Sequence, residues 1–113
     1  DILTALYFGG VLKHDPQNPK TADRDRFILA KGHAAPALYA ALAHSGYFPV
    51  DELMTLRKLG SRLQGHPDSS LVPGVEVSTG SLGQGLSISC GLAAGLKINN
   101  DDHAVIALLG DGE

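Results

Sequence analysis

A charge-free segment and the apolar run that follows it limit the folds open to this chain. No charged residue occurs between Leu82 and Leu96, where glycine, alanine and serine are frequent. A helix that is apolar or small on every side is typically buried on every side, so we expect protein to enclose this helix. The run Ala104–Leu109, bounded by polar residues and a glycine, is typical of a wholly buried strand. Helices followed by such a strand predict an α/β domain with a parallel sheet and packed helices.

Three further helices are predicted in the first half of the chain. Residues 1–13 are predicted to form a helix whose apolar face carries Ile2, Leu3, Leu6, Tyr7 and Val11. A second helix, from about Ala34 to Ser45, has Pro36 in its first turn and Gly46 at its end. The third, DELMTLRKLG, is predicted to be capped by Asp51 and to end at Gly60.

Two stretches show little regular pattern. Residues 13–26 are polar, contain two prolines and indicate a surface connection to a short apolar piece, FILAKGH, which ends at a glycine break. Residues 61–81 form a second irregular stretch, and an irregular stretch of that length inside a compact domain is often functional. The alternative is a mobile surface loop. Val72, Val75 and Val77 indicate instead that part of the loop is held down.

Composition excludes several classes of function. A chain of 113 residues fits one domain, and no apolar run approaches the roughly 18 residues that a membrane span needs. The chain has nine basic and twelve acidic residues, no basic block and only 5% aromatic residues, so a nucleic-acid surface is not expected. A single cysteine, Cys90, excludes an internal disulfide and fits a reducing, cytoplasmic compartment. The start lacks both a methionine and the basic residues of a signal peptide, so we expect an interior segment of a longer protein.

The last residues, LLGDGE, place a carboxylate where α/β folds bind ligands. In open α/β sheets, ligands bind beyond the carboxyl ends of the strands, and Asp111 follows the predicted strand directly. The flanking glycines let the backbone come close to a bulky anion. A carboxylate beside an anion suits a bridging Mg²⁺ ion, which binds carboxylate and phosphate oxygens. The alternative is an ordinary Asp-Gly turn that leads into a hairpin.

A second glycine-rich turn, STGSLGQGLS, precedes the charge-free helix. Helix N-termini attract anions through free N–H groups and the helix dipole. The glycines Gly80, Gly83 and Gly85 follow neither the dinucleotide fingerprint nor the phosphate-loop pattern. Leu82 is an apolar residue within this polar turn, which suits a ligand that has both a charged part and a flat apolar part.

Two histidines follow glycines in similar contexts, His33 in AKGHAAPA and His66 in LQGHPDSS. Histidine ionises near neutrality and is therefore suited to proton transfer, although a lone histidine is more often structural. The two lie far apart and lack cysteine or acidic companions, so a zinc site is not expected. His14, His44 and His103 stand in ordinary polar or helix-end settings and are interpreted as surface residues.

In order along the chain, DRFILAKGHAAPALYAAL, LGSRLQGHPD, PGVEVSTGSLGQGLS and LLGDGE closely resemble the N-terminal portion of transketolases. The match covers essentially the whole chain and is most similar to the split kind, in which this half is a separate subunit. The resemblance implies that residues 1–113 are a diphosphate-binding domain truncated at both ends. It also implies thiamine diphosphate and Mg²⁺, or Ca²⁺ or Mn²⁺, as cofactors, and transfer of a two-carbon ketol unit between sugar phosphates.

The resemblance also assigns roles to six residues. Asp111 is expected to bind the metal ion, and Gly112 to contact the diphosphate. Gly80 is expected to contact the aminopyrimidine through its backbone, and Leu82 to pack near the ring system. The remaining two are histidines with expected catalytic roles: His33 lies near diphosphate and substrate, and His66 reaches the oxygen atoms of the donor sugar.

Three parts of the family's site have no counterpart in this sequence. The second metal ligand, an asparagine, is expected beyond Glu113, and a further Gly-His motif is expected before Asp1. The glutamate that activates the aminopyrimidine is expected to belong to the next domain. The chain alone is therefore expected to be inactive and to need a C-terminal transketolase half or subunit, in a homodimer or heterotetramer of the pentose phosphate pathway. Two alternatives remain open: another thiamine enzyme, such as deoxyxylulose-phosphate synthase or a 2-oxo acid dehydrogenase subunit, or a non-catalytic nucleotide-binding domain.

Overall fold

Two short strands form a parallel sheet around which the other elements are arranged. The computed structural model describes residues 1–113 throughout. In chain order the elements are α1 (Ile2–Phe8), β1 (Arg26–Leu29), α2 (Ala35–His44), α3 (Gln84–Ile98) and β2 (Val105–Leu108). Single stretches of 3₁₀ helix cover Gly32–Ala34 and Val50–Thr55.

The parallel sheet confirms the predicted α/β class. Arg26 pairs with Val105 at one end of the sheet, and Leu29 pairs with Leu108 at the other. β2 is the strand that the sequence predicts. β1 comes from the apolar piece FILAKGH, for which the sequence predicts no strand because four residues show no periodicity.

The core brings together side chains of α1, β1, α2 and the irregular loop. Phe27, Ile28 and Leu29 are buried on the strand, and the irregular loop contributes the buried side chains of Leu63 and Val72. α2 matches its predicted bounds closely, with Pro36 in the first turn. Gly46 follows it with a φ of +95°, which glycine adopts without strain.

Two predicted helices are shorter than their sequence patterns indicate. α1 ends at Phe8 because the Gly9-Gly10 step, with a φ of +72° at Gly10, ends the helix. Ile2 and Val11, which the pattern places on the apolar face, are exposed. The segment DELMTLRKLG forms only the 3₁₀ helix Val50–Thr55, and Asp51 makes no capping hydrogen bond. The chain turns away at Arg57, which has a φ of +61° and donates its backbone N–H to the Leu63 carbonyl.

The chain by itself does not enclose α3, so the predicted burial of this helix against other protein stays a prediction. The helix forms, but only Gly85 and Ser89 on it are buried, whereas Leu86 is 47% and Ile98 80% exposed. β2 is likewise half-buried along its length rather than wholly buried. A sheet of two strands offers too little surface to cover this helix, so its apolar side has no partner within the chain.

The long irregular stretch is confirmed as irregular and is held in place. No helix or strand occurs between Leu56 and Gly83, yet Val72 and Val75 are buried. Arg24 and Glu76 form a two-bonded ion pair, with Nε–Oε1 and Nη2–Oε2 distances of 2.8 Å each. These contacts favour a fixed loop over the mobile alternative.

Two of the three histidines interpreted as surface residues lie in partly buried networks. The His14 ring stacks on Tyr47 at a centroid distance of 5.8 Å and bonds the Tyr47 hydroxyl at 3.1 Å. His103 bonds the carboxylates of Asp101 and Asp23. His44 is exposed, as predicted. None of the helices is both long enough and apolar enough to cross a membrane.

We expect His103→Gln to make the thermal stability less dependent on pH. Hydrogen bonds to Asp101 and then to Asp23 raise the pKa of His103 above its ordinary value of 6.5, whereas Lys13 opposes this shift. Protonated His103 therefore stabilises the fold below about pH 6.5, and this stabilisation is lost as the pH rises through the raised value. The melting-temperature difference between wild type and variant should be larger near pH 6 than near pH 9, and His44→Gln is the matched control. A difference that does not change with pH would contradict this role.

Candidate functional site

The turns that follow the two strands lie side by side at one edge of the sheet. β1 leads into Lys31-Gly32-His33, and β2 leads into Gly110-Asp111-Gly112. The backbone N–H of Ala30 donates to the Leu108 carbonyl at 3.0 Å, so the strand ends remain paired up to the turns. This is the edge at which α/β sheets bind ligands.

The turn before α3 packs directly on the turn after β1. The hydroxyl of Thr79 donates to the Leu29 carbonyl at 2.7 Å. A Cβ atom on Gly32 would lie 2.6 Å from the carbonyl carbon and oxygen of Thr79 and from the nitrogen of Gly80. Because those are backbone atoms that cannot turn aside, only glycine fits at position 32.

The first turn of α3 is held against the same edge. A Cβ atom on Gly85 would lie 2.4 Å from the Cβ of Ala30, so the helix begins in close contact with the end of β1. Gly83, just before the helix, has a φ of +86°. The free N–H groups at the start of α3 therefore lie beside the two turns that follow the strands.

His66 lies on the backbone of Gly80. A Cβ atom on Gly80 would lie 2.9 Å from Cγ of His66, so glycine is required for this contact. The buried Tyr39 fixes the loop, because its hydroxyl donates to the Gln64 carbonyl at 2.9 Å and approaches the His66 carbonyl at 3.3 Å. A cleft of about 300 Å³ opens here, lined by His66, Ser78, Thr79, Gly80, Ser81, Gln84, Gly85 and Ile88.

Glu113 links two of these turns, although no sequence motif predicts a role for it. Its Oε1 accepts the N–H of Gly83 at 3.0 Å, and its Oε2 accepts the N–H of Gly110 at 2.9 Å. These bonds, with smaller contributions from the charges of His33 and Lys31, hold the pKa of the Glu113 carboxyl below its usual value. No local pattern marks this residue, because one of its partners lies in a turn 30 residues away.

The structure brings all six predicted site residues to this edge of the sheet. His66 and Gly80 are in contact with each other. His33, Leu82, Asp111 and Gly112 are exposed. Nothing in the chain lies within 4 Å of a Cβ placed on Gly112, so the fold itself gives no steric reason for glycine there. The contacts of each residue with a cofactor stay predictions.

Asp111 suits a shared metal ion rather than a site built by this chain alone. No group of three or more His, Cys, Asp or Glu side chains that could hold a metal ion occurs in the chain. The Asp111 carboxylate is exposed and accepts no hydrogen bond from the chain, which leaves its oxygens free. Mg²⁺ typically takes one or two protein carboxylates together with phosphate oxygens and waters, and this donor set fits that pattern.

A larger cavity of about 710 Å³ lies between the 18–24 connection and the 69–76 loop. Both arginines that line it already have carboxylate partners. Arg24 is paired with Glu76, and Arg62 with Glu52 at 2.6 and 2.9 Å. Lys20 also lines the cavity and has no ion-pair partner in the chain, but none of the predicted site residues lies there, so we favour the edge of the sheet as the functional site.

Known proteins of one family match this chain over nearly its whole length. The family model described as "Transketolase, thiamine diphosphate binding domain" matches residues 1–108. The chain is 45% identical over its whole length to the 6-deoxy-6-sulfo-D-fructose transketolase subunit of a Clostridium species, of which it covers 41%. It is 44% identical over its whole length to an apulose-4-phosphate transketolase subunit from Phocaeicola vulgatus, of which it covers 40%. The crystal structure of transketolase from Campylobacter jejuni matches 98% of the chain with a TM-score of 0.88 and 41% identity, over 18% of that chain. The chain thus spans less than half the length of these relatives.

Proposed function

The chain belongs to the family of transketolase thiamine diphosphate binding domains, and from that premise we propose that it supplies the diphosphate-binding part of a ketol transferase. The observation that carries this proposal is the meeting of three glycine-rich turns at the carboxyl edge of the sheet. One turn bears Asp111 and Gly112, the second bears Gly80 and Leu82, and the third bears His33. Parallel pairing of β1 and β2 places two of these turns side by side, and the turn before α3 packs on the turn after β1, so one ligand could contact all three.

In the proposed site, the chain's own residues bind and orient the cofactor. Asp111 would hold Mg²⁺, and the open backbone at Gly112 would contact the diphosphate. The backbone of Gly80 and the side chain of Leu82 would lie against the ring system. When bound, thiamine diphosphate supplies the carbon nucleophile and electron sink that transfer of a two-carbon unit requires.

The two histidines are proposed to serve the sugar. Both rings are exposed, and His66 is held beside the cleft by its contact with Gly80. At neutral pH an imidazole can accept or donate a proton at a sugar hydroxyl. We propose that His66 does this at the donor sugar and that His33 lies between diphosphate and substrate.

Sugar phosphates are the proposed substrate class. Two of the relatives are named for 6-deoxy-6-sulfo-D-fructose and for apulose 4-phosphate, so proteins similar to this chain serve more than one sugar. The pentose phosphate pathway and a cytoplasmic location are parts of the same proposal. The complete protein, assayed with xylulose 5-phosphate and ribose 5-phosphate, should exchange a ketol unit. Consumption of pyruvate without ketol exchange would instead indicate another class of thiamine enzyme.

A C-terminal transketolase half or subunit is the proposed partner, in a homodimer or heterotetramer. The chain provides one metal ligand and leaves the apolar side of α3 uncovered. Leu82 is 59% exposed, Leu86 47% and Ile98 80%. An apolar side of this kind on a small domain favours contact with other protein.

Cys90 reports on this contact, because it lies exposed on α3 and is the only cysteine of the chain. In the assembled protein we expect its thiol to react with a maleimide at least about tenfold more slowly than a cysteine introduced by His44→Cys, since a covered thiol is shielded from the reagent. His44 is exposed on α2 and serves as the matched site. Peptide mass spectrometry of one sample reads both rates. Equal rates would contradict coverage of α3.

Gly112→Ala separates cofactor contact from folding. Because nothing lies within 4 Å of the added methyl group, the melting temperature should stay within about 2 °C of wild type. A methyl group at a backbone that contacts diphosphate should nevertheless weaken thiamine diphosphate binding roughly tenfold or more. Calorimetry and thermal melting of the complete protein measure the two effects. Unchanged affinity would remove Gly112 from the site.

A further inference from the structure

One carboxylate joins the two turns that the proposed function assigns to opposite ends of the cofactor. Glu113 is the only side chain that bonds both the Gly110–Gly112 turn and the turn before α3. Its two oxygens are divided between the turns, one bond to each, at 3.0 Å and 2.9 Å. An ionised acceptor makes stronger hydrogen bonds than a neutral one, so both turns are firmly tied.

The bonds of Glu113 leave the ligand-facing donors free. The carboxylate takes the N–H groups of Gly83 and Gly110. The backbone N–H groups of Asp111 and Gly112 donate to nothing within the chain. Glu113 therefore holds the two turns through residues next to those proposed to contact the cofactor, and it leaves the backbone groups of the cofactor-contacting residues free.

We propose that Glu113 is a positioning residue that sets the separation between the diphosphate side and the ring side of the site. The proposal rests on the proposed function. A cofactor that contacts two surfaces at once binds best when both surfaces already stand at the right distance, because less ordering free energy is lost on binding. Without the tie, each turn can still meet its own half of the cofactor, but the two halves are no longer aligned.

The test compares the affinities of two ligands for the complete assembled protein. Calorimetry gives the affinities for thiamine diphosphate and for inorganic pyrophosphate, each with Mg²⁺. Glu113→Gln leaves one acceptor oxygen where two are needed, so we expect thiamine diphosphate to bind roughly tenfold to a hundredfold more weakly. Pyrophosphate touches the diphosphate side alone and should lose less than about threefold. Asp102→Asn is the matched control, because Asp102 is an exposed carboxylate without a side-chain hydrogen bond, and it should change neither affinity.

A second variant separates reach from charge. Glu113→Asp keeps the charge but is one methylene shorter, so it should show the same selective loss, whereas an effect of charge alone would leave it like wild type. Glu113→Asp also provides the test of the proposal if Glu113→Gln does not fold.

The outcomes are distinct. Thiamine diphosphate affinity that is unchanged or tighter in the Glu113 variants overturns the proposal, and so does an equal loss for both ligands, which would be a general disturbance of the turn. If the wild-type protein itself shows no Mg²⁺-dependent binding of thiamine diphosphate, the proposed function fails first and this proposal with it.

Discussion

Asp111→Asn is expected to abolish Mg²⁺-dependent binding of thiamine diphosphate in the complete protein, with a loss of roughly a hundredfold or more. A neutral amide is a poor ligand for a hard dication, and the diphosphate then lacks the ion that offsets its charge. The chain offers no substitute, because it contains no cluster of three or more His, Cys, Asp or Glu side chains that could hold a metal ion. Metal and cofactor affinities should therefore fall together.

Fold disruption is not expected to contribute, since the Asp111 side chain is exposed and bonds nothing in the chain. Titration calorimetry with Mg²⁺ and thiamine diphosphate measures the loss, and thermal melting checks the fold. Asp51→Asn is the control, because it removes an exposed carboxylate from the distant 3₁₀ helix. Wild-type metal affinity in the Asp111 variant would show that the role given to this carboxylate is wrong.

Gly32→Ala is expected to have the largest effect on stability. Its methyl group would stand 2.6 Å from three backbone atoms of Thr79 and Gly80, so one of the two turns must move. Overpacking at fixed atoms typically costs about 1–3 kcal/mol, and we expect the upper part of that range because no flexible side chain can yield. Loss of thiamine diphosphate binding should accompany the destabilisation.

Gly112→Ala is the matched control for this substitution. It adds the same methyl group to the neighbouring turn at the same edge of the sheet, where nothing lies within 4 Å. Denaturant unfolding should therefore show a large loss of stability for Gly32→Ala and almost none for Gly112→Ala. A Gly32→Ala protein with wild-type stability would mean that the two turns are not in contact.

Local sequence patterns predict the helices and strands that can be recognised from their own residues and from the residues at their ends. β2 is a continuous apolar run, and α2 has proline at its start and glycine after its end, so both were found at nearly the right bounds. β1 has the same apolar character, but its apolar run, Phe27–Ala30, is shorter than the run Ala104–Leu109 that contains β2, and the sequence predicts no strand there. The segment after Asp51 has a helical pattern, but it forms only a 3₁₀ helix, and the left-handed backbone at Arg57 turns the chain away after it.

Such local patterns give no information on contacts between residues that are far apart in the sequence. The hydroxyl of Tyr39 bonds a loop 25 residues away, and Glu113 bonds a turn 30 residues away. The periodicity of α2 gives no sign of the first contact, and the last turn gives no sign of the second. The charge-free pattern of α3 did predict a helix, but its predicted enclosure depends on protein that this chain does not contain.

Ordered motifs predict more candidate site residues than periodicity does. Resemblance to transketolases predicts six residues spread from His33 to Gly112, and the fold brings all six to one edge of the sheet, whereas their contacts with a cofactor stay predictions. The close contacts at Gly32 and Gly80 supply a physical reason for two glycines of these motifs. Gly112 has no such reason within the chain, and its contact with a bound group stays a prediction.

A structure of the complete assembled protein with thiamine diphosphate and Mg²⁺ would show whether the coenzyme binds at this edge of the sheet. We expect the ion on the Asp111 carboxylate, the diphosphate on the backbone of Gly112, and the ring system between Gly80 and Leu82. Coenzyme bound elsewhere in the protein, with this edge of the sheet left open, would contradict this expectation.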